Sequence, residues 1–394
     1  MPELIPERKP TNRLLLGPGP STTDPRILRA LSEPTVGHLD PEFLRIMNET
    51  MAMLRYVFET ENKLTMAMSG TGSAAQETPF LNLLEPGDKA IVCVHGYFGE
   101  RMVDMAGRAG ADVTVVEKPM GQAIDPEQVA DAFKKANGKV KLLSIVHAET
   151  STGVLQPLDD IVKITHDNGA LIVVDTVTSL GGVSVGTDRN HYDFVYSGTQ
   201  KALSCPPGLG PITVNEAAVK AIQERKTKVH SWYLDLSMIM RYWGQERFYH
   251  HTAPVNMVYA LHEALRIIQE EGLEARFARH RLNRDALIAG LQAMGLKLVV
   301  DDGYRLPTLT TVYVPEGIAD AAVRGALLND YNIEIGGGLG ALKGKIWRIG
   351  LMGYSSTKRN VLTLLTVLET ILGGMGYKMP QGAGTAAATA VYTK

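Results

Sequence analysis

Apolar strand patterns alternate with helical patterns over most of this chain, from about residue 25 onward. The predicted helices are 41–58, 73–84, 101–110 and 158–168, and the predicted strands are 63–68, 90–94, 113–116, 142–146 and 171–174. Because alternation of this kind favours parallel strands joined by helices, we predict an α/β fold with a mostly parallel, doubly wound sheet. Ligands of such sheets bind beyond the carboxyl ends of the strands, so functional side chains are expected there.

The chain divides by pattern into four parts. Residues 1–20 form an irregular arm rich in proline and glycine, 21–271 a large domain, 272–380 a small α/β domain, and 381–394 a low-complexity tail. Two bridging helices are predicted at 255–271 and 273–294, followed by small-domain strands at 297–300, 308–314, 333–335 and 346–349. An arm without its own core usually packs on something else, often a partner subunit. The tail is expected to be mobile or draped over the fold.

Composition argues against several classes of function. Of the 394 residues, 45% are hydrophobic and 21% are charged, and the formal net charge is −2. These values are ordinary for a soluble globular protein, and because no basic stripe is present, nucleic acid is not an expected partner. No apolar run approaches the length of a bilayer, and the N-terminus lacks the pattern of a signal peptide. We therefore expect no membrane contact and a cytoplasmic location.

Metal chemistry is not expected either. Cys93 and Cys205 are too few for a disulfide framework or a tetrahedral zinc site, and Cys93 lies in an apolar run typical of a core. His250 and His251 are adjacent in a segment that we expect to be extended, where neighbouring side chains point to opposite faces. The two histidines are therefore not predicted to share a metal ion.

Two strand ends carry the most informative side chains. The apolar strand 171–174 is followed by Asp175, and the β-rich run from residue 194 stops in a small polar turn that leads to Lys201. A lysine amine can form a Schiff base with an aldehyde, and a carboxylate can keep a pyridine nitrogen protonated. The pair therefore predicts a pyridoxal phosphate site, with Lys201 as the covalent anchor and Asp175 beside the ring nitrogen.

A glycine-rich segment, 69–75, follows a strand and opens a helix, which is the usual setting of an anion site. Its spacing also matches the dinucleotide pattern G-x-G-x-x-A, but the next strand does not end in the acidic residue that would bind a ribose. A single phosphate held by the hydroxyls of Thr71 and Ser73 fits the segment better.

Two further positions have more than one interpretation. Tyr97 or Phe98 could stack on a flat heterocycle, or could simply pack in the core. Arg348 lies in an apolar strand, where its planar guanidinium needs an anion: either a substrate carboxylate or an internal salt-bridge partner.

Taken together, these segments resemble a known family. The motifs are LGPGP at 16–20, SGTG at 69–72, STGVLQPL at 151–158, Asp175, SGTQKA at 197–202, YHHT at 249–252 and RIGL at 348–351. From about residue 14 to 377, the chain resembles the class V, fold-type I pyridoxal phosphate aminotransferases of the alanine–glyoxylate and serine–glyoxylate group. The resemblance implies a large domain with a mostly parallel seven-stranded sheet and a smaller C-terminal α/β domain.

The resemblance also implies a set of site residues. Those expected to bind pyridoxal phosphate are Thr71, Gly72, Ser73, Phe98, Thr150, Asp175, Val177, Gln200, Lys201, Tyr249 and Thr252. Those expected to bind the substrate are Thr150, near the phenolic oxygen of the cofactor, and Arg348, at the substrate carboxylate. Lys201 would also act as the catalytic base. Tyr249 and Thr252 would reach the phosphate of the other subunit, so a homodimer with a shared active site is expected.

Three of these residues have specific expected contacts. Val177 and Phe98 would pack on opposite faces of the cofactor ring, Phe98 where the family usually has tryptophan or another aromatic residue. Ser73 stands where the alanine-type enzymes carry histidine, so its contact with phosphate is not implied by the family pattern alone.

The implied reaction moves the amino group of a small L-amino acid to glyoxylate, with alanine as first choice of donor and serine as second. Aminotransferases that use (S)-ureidoglycine or aspartate with glyoxylate are the alternatives. More remote ones are a nicotinamide dehydrogenase using the glycine-rich segment, and a cysteine desulfurase. A desulfurase needs an exposed nucleophilic cysteine on a mobile loop, which neither Cys93 nor Cys205 is expected to supply.

Overall fold

The computed structural model describes residues 4–394. Its strands are β1 (Leu14–Leu15), β2 (Leu64–Ser69), β3 (Lys89–Val94), β4 (Asp112–Glu117), β5 (Val140–Val146), β6 (Ala148–Glu149), β7 (Val154–Leu155), β8 (Leu171–Asp175), β9 (Phe194–Tyr196), β10 (Leu209–Val214), β11 (Leu309–Tyr313), β12 (Ile333–Glu334), β13 (Gly336–Gly337) and β14 (Ile346–Gly350). Its α-helices are α1 (Pro25–Leu31), α2 (Pro41–Phe58), α3 (Gly72–Leu83), α4 (Tyr97–Arg108), α5 (Pro126–Lys135), α6 (Asp159–Asp167), α7 (Glu216–Gln223), α8 (Leu236–Trp243), α9 (Val255–Glu271), α10 (Leu273–Ala293), α11 (Asp320–Tyr331), α12 (Lys358–Gly374) and α13 (Ala383–Tyr392).

Local signals place the helices. The predicted bounds of α2 agree with the structure, because Asp40 caps the backbone N–H of Glu42, Pro41 occupies the first turn, and Glu59 ends the helix in the left-handed conformation. Helix α4 starts four residues earlier than predicted, so its first turn, and not a strand end, carries Tyr97 and Phe98.

The central sheet has seven strands in the order β2-β10-β9-β8-β5-β3-β4. Strand β10 runs antiparallel to both of its neighbours, and the other pairs are parallel. The predicted mostly parallel α/β sheet is confirmed. Strands β5 and β8 are almost completely buried, as is typical of parallel strands covered by helices on both faces. The carboxyl ends of β2, β3, β5, β8 and β9 lie at one edge, which is where the site forms.

A smaller antiparallel sheet, in the order β11-β14-β13, packs in a second hydrophobic core with α10, α11 and α12. The predicted strand 297–300 is wrong: Leu298 makes only an isolated bridge with Val312, because the chain bends at residue 299 and enters a 3₁₀ turn at Asp302–Tyr304. The proposed boundaries at residues 271 and 380 stay a prediction.

Both ends of the described chain pack against other parts of the same chain. Residues 1–3 of the arm lie outside the described residues. Strand β1 of the arm pairs with β12 of the same chain, and Leu16 is buried in the second core. The low-complexity tail forms helix α13 against α10 and α12. Its glycine and alanine residues allow close helix packing, and Tyr392 Oη donates to Asn283 Oδ1 at 2.6 Å.

None of the helices formed by residues 4–394 combines the length and apolar character that crossing a bilayer requires.

Candidate active site

Asp175 ends β8 inside the protein, with 3% of its surface exposed. The parallel register of β8 and β9 places it opposite Tyr196, whose hydroxyl donates to Oδ2 at 2.9 Å, while Oδ1 accepts from the backbone N–H of Val177 at 2.8 Å. Burial raises the pKa of Asp175 to about 7, against the effect of these hydrogen bonds. A carboxylate held in this way would be stabilised by a cationic group such as a protonated ring nitrogen.

Lys201 lies on the turn after β9, at the same edge of the sheet, and is 7% exposed. Its Nζ donates to the carbonyl oxygen of Pro18. Burial lowers the pKa of Lys201 to about 8; Arg348 lowers it further, and Asp175 opposes the shift. Near neutral pH, a larger fraction of this amine is therefore unprotonated and nucleophilic than for an exposed lysine.

The N-terminal arm covers Lys201, which the sequence did not predict. At Gly19 the backbone has φ of 104°, and a Cβ atom there would lie 2.6 Å from Lys201 Cδ, so only glycine fits. The hydroxyl of Ser21 donates to the carbonyl oxygen of Lys201 at 2.7 Å. The arm is therefore part of the active-site wall.

The glycine-rich segment 69–75, which we predicted to bind phosphate, lies where β2 passes into α3. The helix begins at Gly72, and the side chain of Thr71 does not cap it. A Cβ atom at Gly72 would lie 3.4 Å from the Cα of Gly198 and 3.9 Å from Nε2 of Gln200. Oε1 of Gln200 is buried without a hydrogen-bond partner among residues 4–394. The backbone N–H groups at the start of α3 and Nε2 of Gln200 are donors, and these donors, unlike the orphaned Oε1, suit an anion.

Arg348 enters the site from β14, 7% exposed. Its Nε donates to the Gly337 carbonyl at 2.7 Å and its Nη1 to the Thr150 carbonyl at 3.2 Å. Burial lowers the pKa of Arg348 to about 10, and the charge of Glu149 opposes the shift. Within the described residues Arg348 has no ion pair, so the internal salt bridge considered above is not formed and the guanidinium can take an external carboxylate.

Glu149 is a buried acidic residue that sequence reasoning missed. Its Oε1 accepts from the backbone N–H of Ser151 at 2.9 Å and from the hydroxyl at 2.6 Å. Its Oε2 is buried without a partner in the part of the chain that the structure describes. Gly96 must be glycine here, because a Cβ atom would overlap the Glu149 side chain. The only sequence signal was an acidic residue beside Thr150, just past a strand end.

The remaining predicted residues are placed as follows. Phe98 is half-buried on α4, Val177 follows Asp175, and the Thr150 hydroxyl bonds that of Thr178. Tyr249 is 54% exposed and packs against His38, with 5.3 Å between ring centroids, and Thr252 is also exposed. The predicted contacts of these side chains with cofactor or partner subunit stay predictions.

The two adjacent histidines do not point apart as expected. Nδ1 of His250 lies 2.8 Å from Nδ1 of His251, because this segment is irregular and the alternation of an extended strand does not apply. Nε2 of His250 lies 3.3 Å from the Trp232 carbonyl, and Nε2 of His251 lies 2.7 Å from Oγ of Ser69.

The direction of this chain of hydrogen bonds follows from its last acceptor. A carbonyl oxygen can only accept, so neutral His250 carries its proton on Nε2 and accepts at Nδ1. His251 therefore donates from Nδ1 and accepts the hydroxyl proton of Ser69 at Nε2. With both rings neutral, this chain of hydrogen bonds links Ser69, the first residue of the glycine-rich segment 69–75, to the carbonyl oxygen of Trp232.

The apoprotein is expected to lose stability as the pH falls from about 6.5 toward 4, in part through His251. Burial, with the charges of His250 and His38, lowers the pKa of His251 to about 4. The unfolded chain takes up a proton on this ring near pH 6.5, where the folded chain does not. Replacing His251 with glutamine should make the free energy of unfolding less dependent on pH in this range, as measured by urea denaturation. His230→Gln, at an exposed site, is the control; equal pH dependence in both variants would contradict the assignment.

Comparison with known proteins identifies the family. The class V aminotransferase family matches residues 15–361 of this chain. The chain is 42% identical over 398 residues to the (S)-ureidoglycine–glyoxylate transaminase of Bacillus subtilis, covering 96% of this chain and 95% of that protein. The chain belongs to the class V aminotransferases.

Two further relatives agree. The alanine–glyoxylate aminotransferase of Rattus norvegicus is 44% identical over 364 residues, covering 91% of this chain and 87% of that protein. The solved structure of an alanine–glyoxylate aminotransferase from a Nostoc species is 50% identical, with a TM-score of 0.91, and covers 94% of this chain and 97% of that one. As a class V aminotransferase of fold type I, the protein is an enzyme that depends on pyridoxal phosphate.

The site fits this cofactor. Lys201 is a buried amine that would bind its aldehyde, and Asp175 is a buried carboxylate that would face its ring nitrogen. The backbone N–H groups at the start of α3 and Nε2 of Gln200 are the donors that would hold its phosphate. These residues lie on segments far apart in sequence that meet at one edge of the sheet.

Proposed function

We propose that this class V aminotransferase moves the amino group of a small L-amino acid to glyoxylate, giving glycine and a 2-oxo acid. Alanine is the first choice of donor and serine the second. The observation that carries the proposal is the buried guanidinium of Arg348, which has no ion pair within the described residues and suits a substrate carboxylate. The relatives named above, each called a glyoxylate aminotransferase or transaminase, support glyoxylate as the acceptor.

The charge of the pocket disfavours aspartate as donor. Glu149 is close enough to Arg348 and Lys201 to oppose the lowering of both pKa values. A second carboxylate on the substrate would have to be buried near this acidic side chain, and an unpaired buried charge is costly. Donors with small neutral side chains avoid this cost.

The protein's own groups would then act as follows. When bound, pyridoxal phosphate supplies an aldehyde that exchanges between amines and a ring that takes up the electron pair of a broken Cα–H bond. Arg348 would hold the substrate carboxylate. Nζ of Lys201, displaced from its covalent link by the substrate amine, would remove the α-proton as general base. Asp175 would keep the ring nitrogen protonated.

(S)-Ureidoglycine is the alternative donor that one observation favours. The Bacillus subtilis transaminase named for it matches 96% of this chain. Its donor differs from alanine only beyond the α-carbon, so Lys201, Asp175 and Arg348 would serve both. A cysteine desulfurase finds no support, because burial raises the pKa of both Cys93 and Cys205 and neither thiol is exposed.

A panel of donors tests the proposal. The holoenzyme is mixed with alanine, serine, aspartate or (S)-ureidoglycine, and loss of the visible absorption of the bound cofactor is followed before glyoxylate is added. We expect alanine to react fastest, serine next, and aspartate at least about tenfold more slowly than alanine, which corresponds to about 1.4 kcal/mol. Glyoxylate should restore the absorption and yield glycine. A fastest reaction with (S)-ureidoglycine would favour the alternative, and failure of glyoxylate to restore the absorption would refute both.

The homodimer with a shared active site and the cytoplasmic location stay predictions from the sequence.

A further inference from the structure

The cofactor's phosphate lacks a cationic partner among the residues assigned to it. The ligands expected within one chain are Thr71, Gly72, Ser73 and Gln200, all of them neutral. A phosphate ester carries a charge of about −1.5 to −2 near neutral pH. The start of α3 contributes roughly half of one positive charge. An anion that leaves water is normally neutralised by a charged group in contact with it.

One arginine touches this segment. Arg101 lies on α4 one turn after Phe98, and its Nη1 donates to Oγ of Ser73 at 3.2 Å. Of the hydrogen bonds that residues 69–73 make in the described structure, this one alone comes from an arginine or lysine side chain. Ser73 is also the position where the family pattern left the phosphate contact open.

The guanidinium of Arg101 is held in place but not neutralised. Its Cζ lies 5.0 Å from the ring centroid of Phe98 and 5.7 Å from that of Tyr97, as in a cation–π contact. No carboxylate in residues 4–394 forms an ion pair with it. Its charge also reaches the site: burial is the main cause of the lowered pKa of Lys201, and Arg101 contributes to the same shift.

We propose that Arg101 binds the phosphate of pyridoxal phosphate beside Ser73, and that Phe98 orients the guanidinium for this contact. Phe98 would then face the cofactor ring and the arginine at once, so that the ring stack and the phosphate site support each other. An arginine suits this place better than a lysine, because its planar fork binds phosphate oxygens in pairs and stacks on an aromatic ring. The inference rests on cofactor dependence and not on the identity of the amino donor.

The test compares two ligands that differ only in the phosphate. Apoprotein is titrated with pyridoxal phosphate and with pyridoxal, and the dissociation constants are measured from quenching of protein fluorescence. Arg101→Gln should weaken pyridoxal phosphate about 10- to 100-fold, the usual range for a hydrogen bond to a charged group, and change pyridoxal less than about twofold. Arg101→Lys should lie between wild type and Arg101→Gln. Arg108→Gln, on the same helix but paired with Asp104 at the surface, is the matched control and should behave like wild type.

Two outcomes would overturn the proposal. Equal weakening of both ligands would mean that Arg101 only holds Phe98 in place, and unchanged affinity for both would mean that it is a surface arginine. Inorganic phosphate provides an independent measurement: its inhibition constant against pyridoxal phosphate binding should be higher in Arg101→Gln than in wild type. Should Arg101→Gln not fold, Arg101→Lys decides alone. The proposal then requires at least about threefold weaker pyridoxal phosphate binding with pyridoxal unchanged, because the lysine keeps the charge but loses the fork.

Discussion

Replacing Lys201 with alanine is expected to lower the rate of transamination by about 10²–10⁴-fold or more, the usual contribution of a general base. The variant would lose one side chain with two proposed roles, the amine that anchors the cofactor and the base that removes the α-proton. Its fold should persist, because the change removes a buried amine that folding desolvates. Steady-state rates with alanine and glyoxylate give the measurement.

The covalent link between Lys201 and the cofactor can be tested separately from the rate. Borohydride should fix the cofactor on the peptide that contains Lys201 in wild type, and mass spectrometry should find no such adduct in Lys201→Ala. Lys228→Ala, at an exposed site, is the control and should keep full activity and the adduct. Wild-type turnover by Lys201→Ala, or an adduct on another lysine in wild type, would end the assignment of Lys201 as anchor and base.

The second large effect is expected at Asp175. Replacement with asparagine removes the negative charge that favours protonation of the ring nitrogen, while the amide oxygen can still accept from the backbone N–H of Val177. We expect kcat to fall by about 10²–10³-fold, as when a single well-placed electrostatic partner is removed from an active site. A cofactor analogue with a methylated ring nitrogen carries a permanent positive charge and should restore part of the lost rate.

Although Asp175→Asn should lower kcat, it should raise the stability of the apoprotein at pH 7. Burial raises the pKa of Asp175 to about 7, whereas in the unfolded chain it is near 3.9. From pH 4 to 7 the folded Asp175 therefore holds a proton that the unfolded chain has lost, and the contribution of this group to the free energy of unfolding falls as the pH rises, opposite to that of His251. Asp175→Asn lacks this loss, so at pH 7 its apoprotein should unfold at a higher urea concentration than wild type. A variant that loses both activity and stability would indicate a structural role.

Much of the fold could be read from local patterns. The bounds of α2 and α9 agree with the prediction because the signals are local: Asp40 caps the start of α2, Gly272 ends α9, and each segment has apolar periodicity. The antiparallel strand β10 was not predicted, since its direction depends on pairing with β2 and β9, far away in sequence. Helix α13 was missed because glycine and alanine carry little amphipathic signal, and its stability comes from packing on α10.

Some site residues could be predicted from the sequence and others could not, again because only local signals are visible in a sequence. Lys201 and Asp175 stood out because each follows a strand directly and the parallel sheet brings strand ends together. Glu149 did not stand out, because contacts with Ser151 and Gly96 position its side chain, and no sequence spacing predicts those contacts. The contact between His250 and His251 was not predicted either, because we expected this segment to be extended.

The sequence by itself determined the α/β sheet and the family, and it predicted Lys201 as the covalent anchor and Asp175 as the pyridinium partner. Periodicity and strand-end chemistry are local properties, and a sheet of parallel strands converts them into one site. Only the tertiary structure decided what surrounds that site: the arm residue Pro18 bonded to Lys201 across 183 positions, the buried charge of Glu149, and Arg101 beside Ser73. The physical reason is that burial and charge act through space, so pKa values and free hydrogen-bonding groups depend on residues that sequence distance keeps apart.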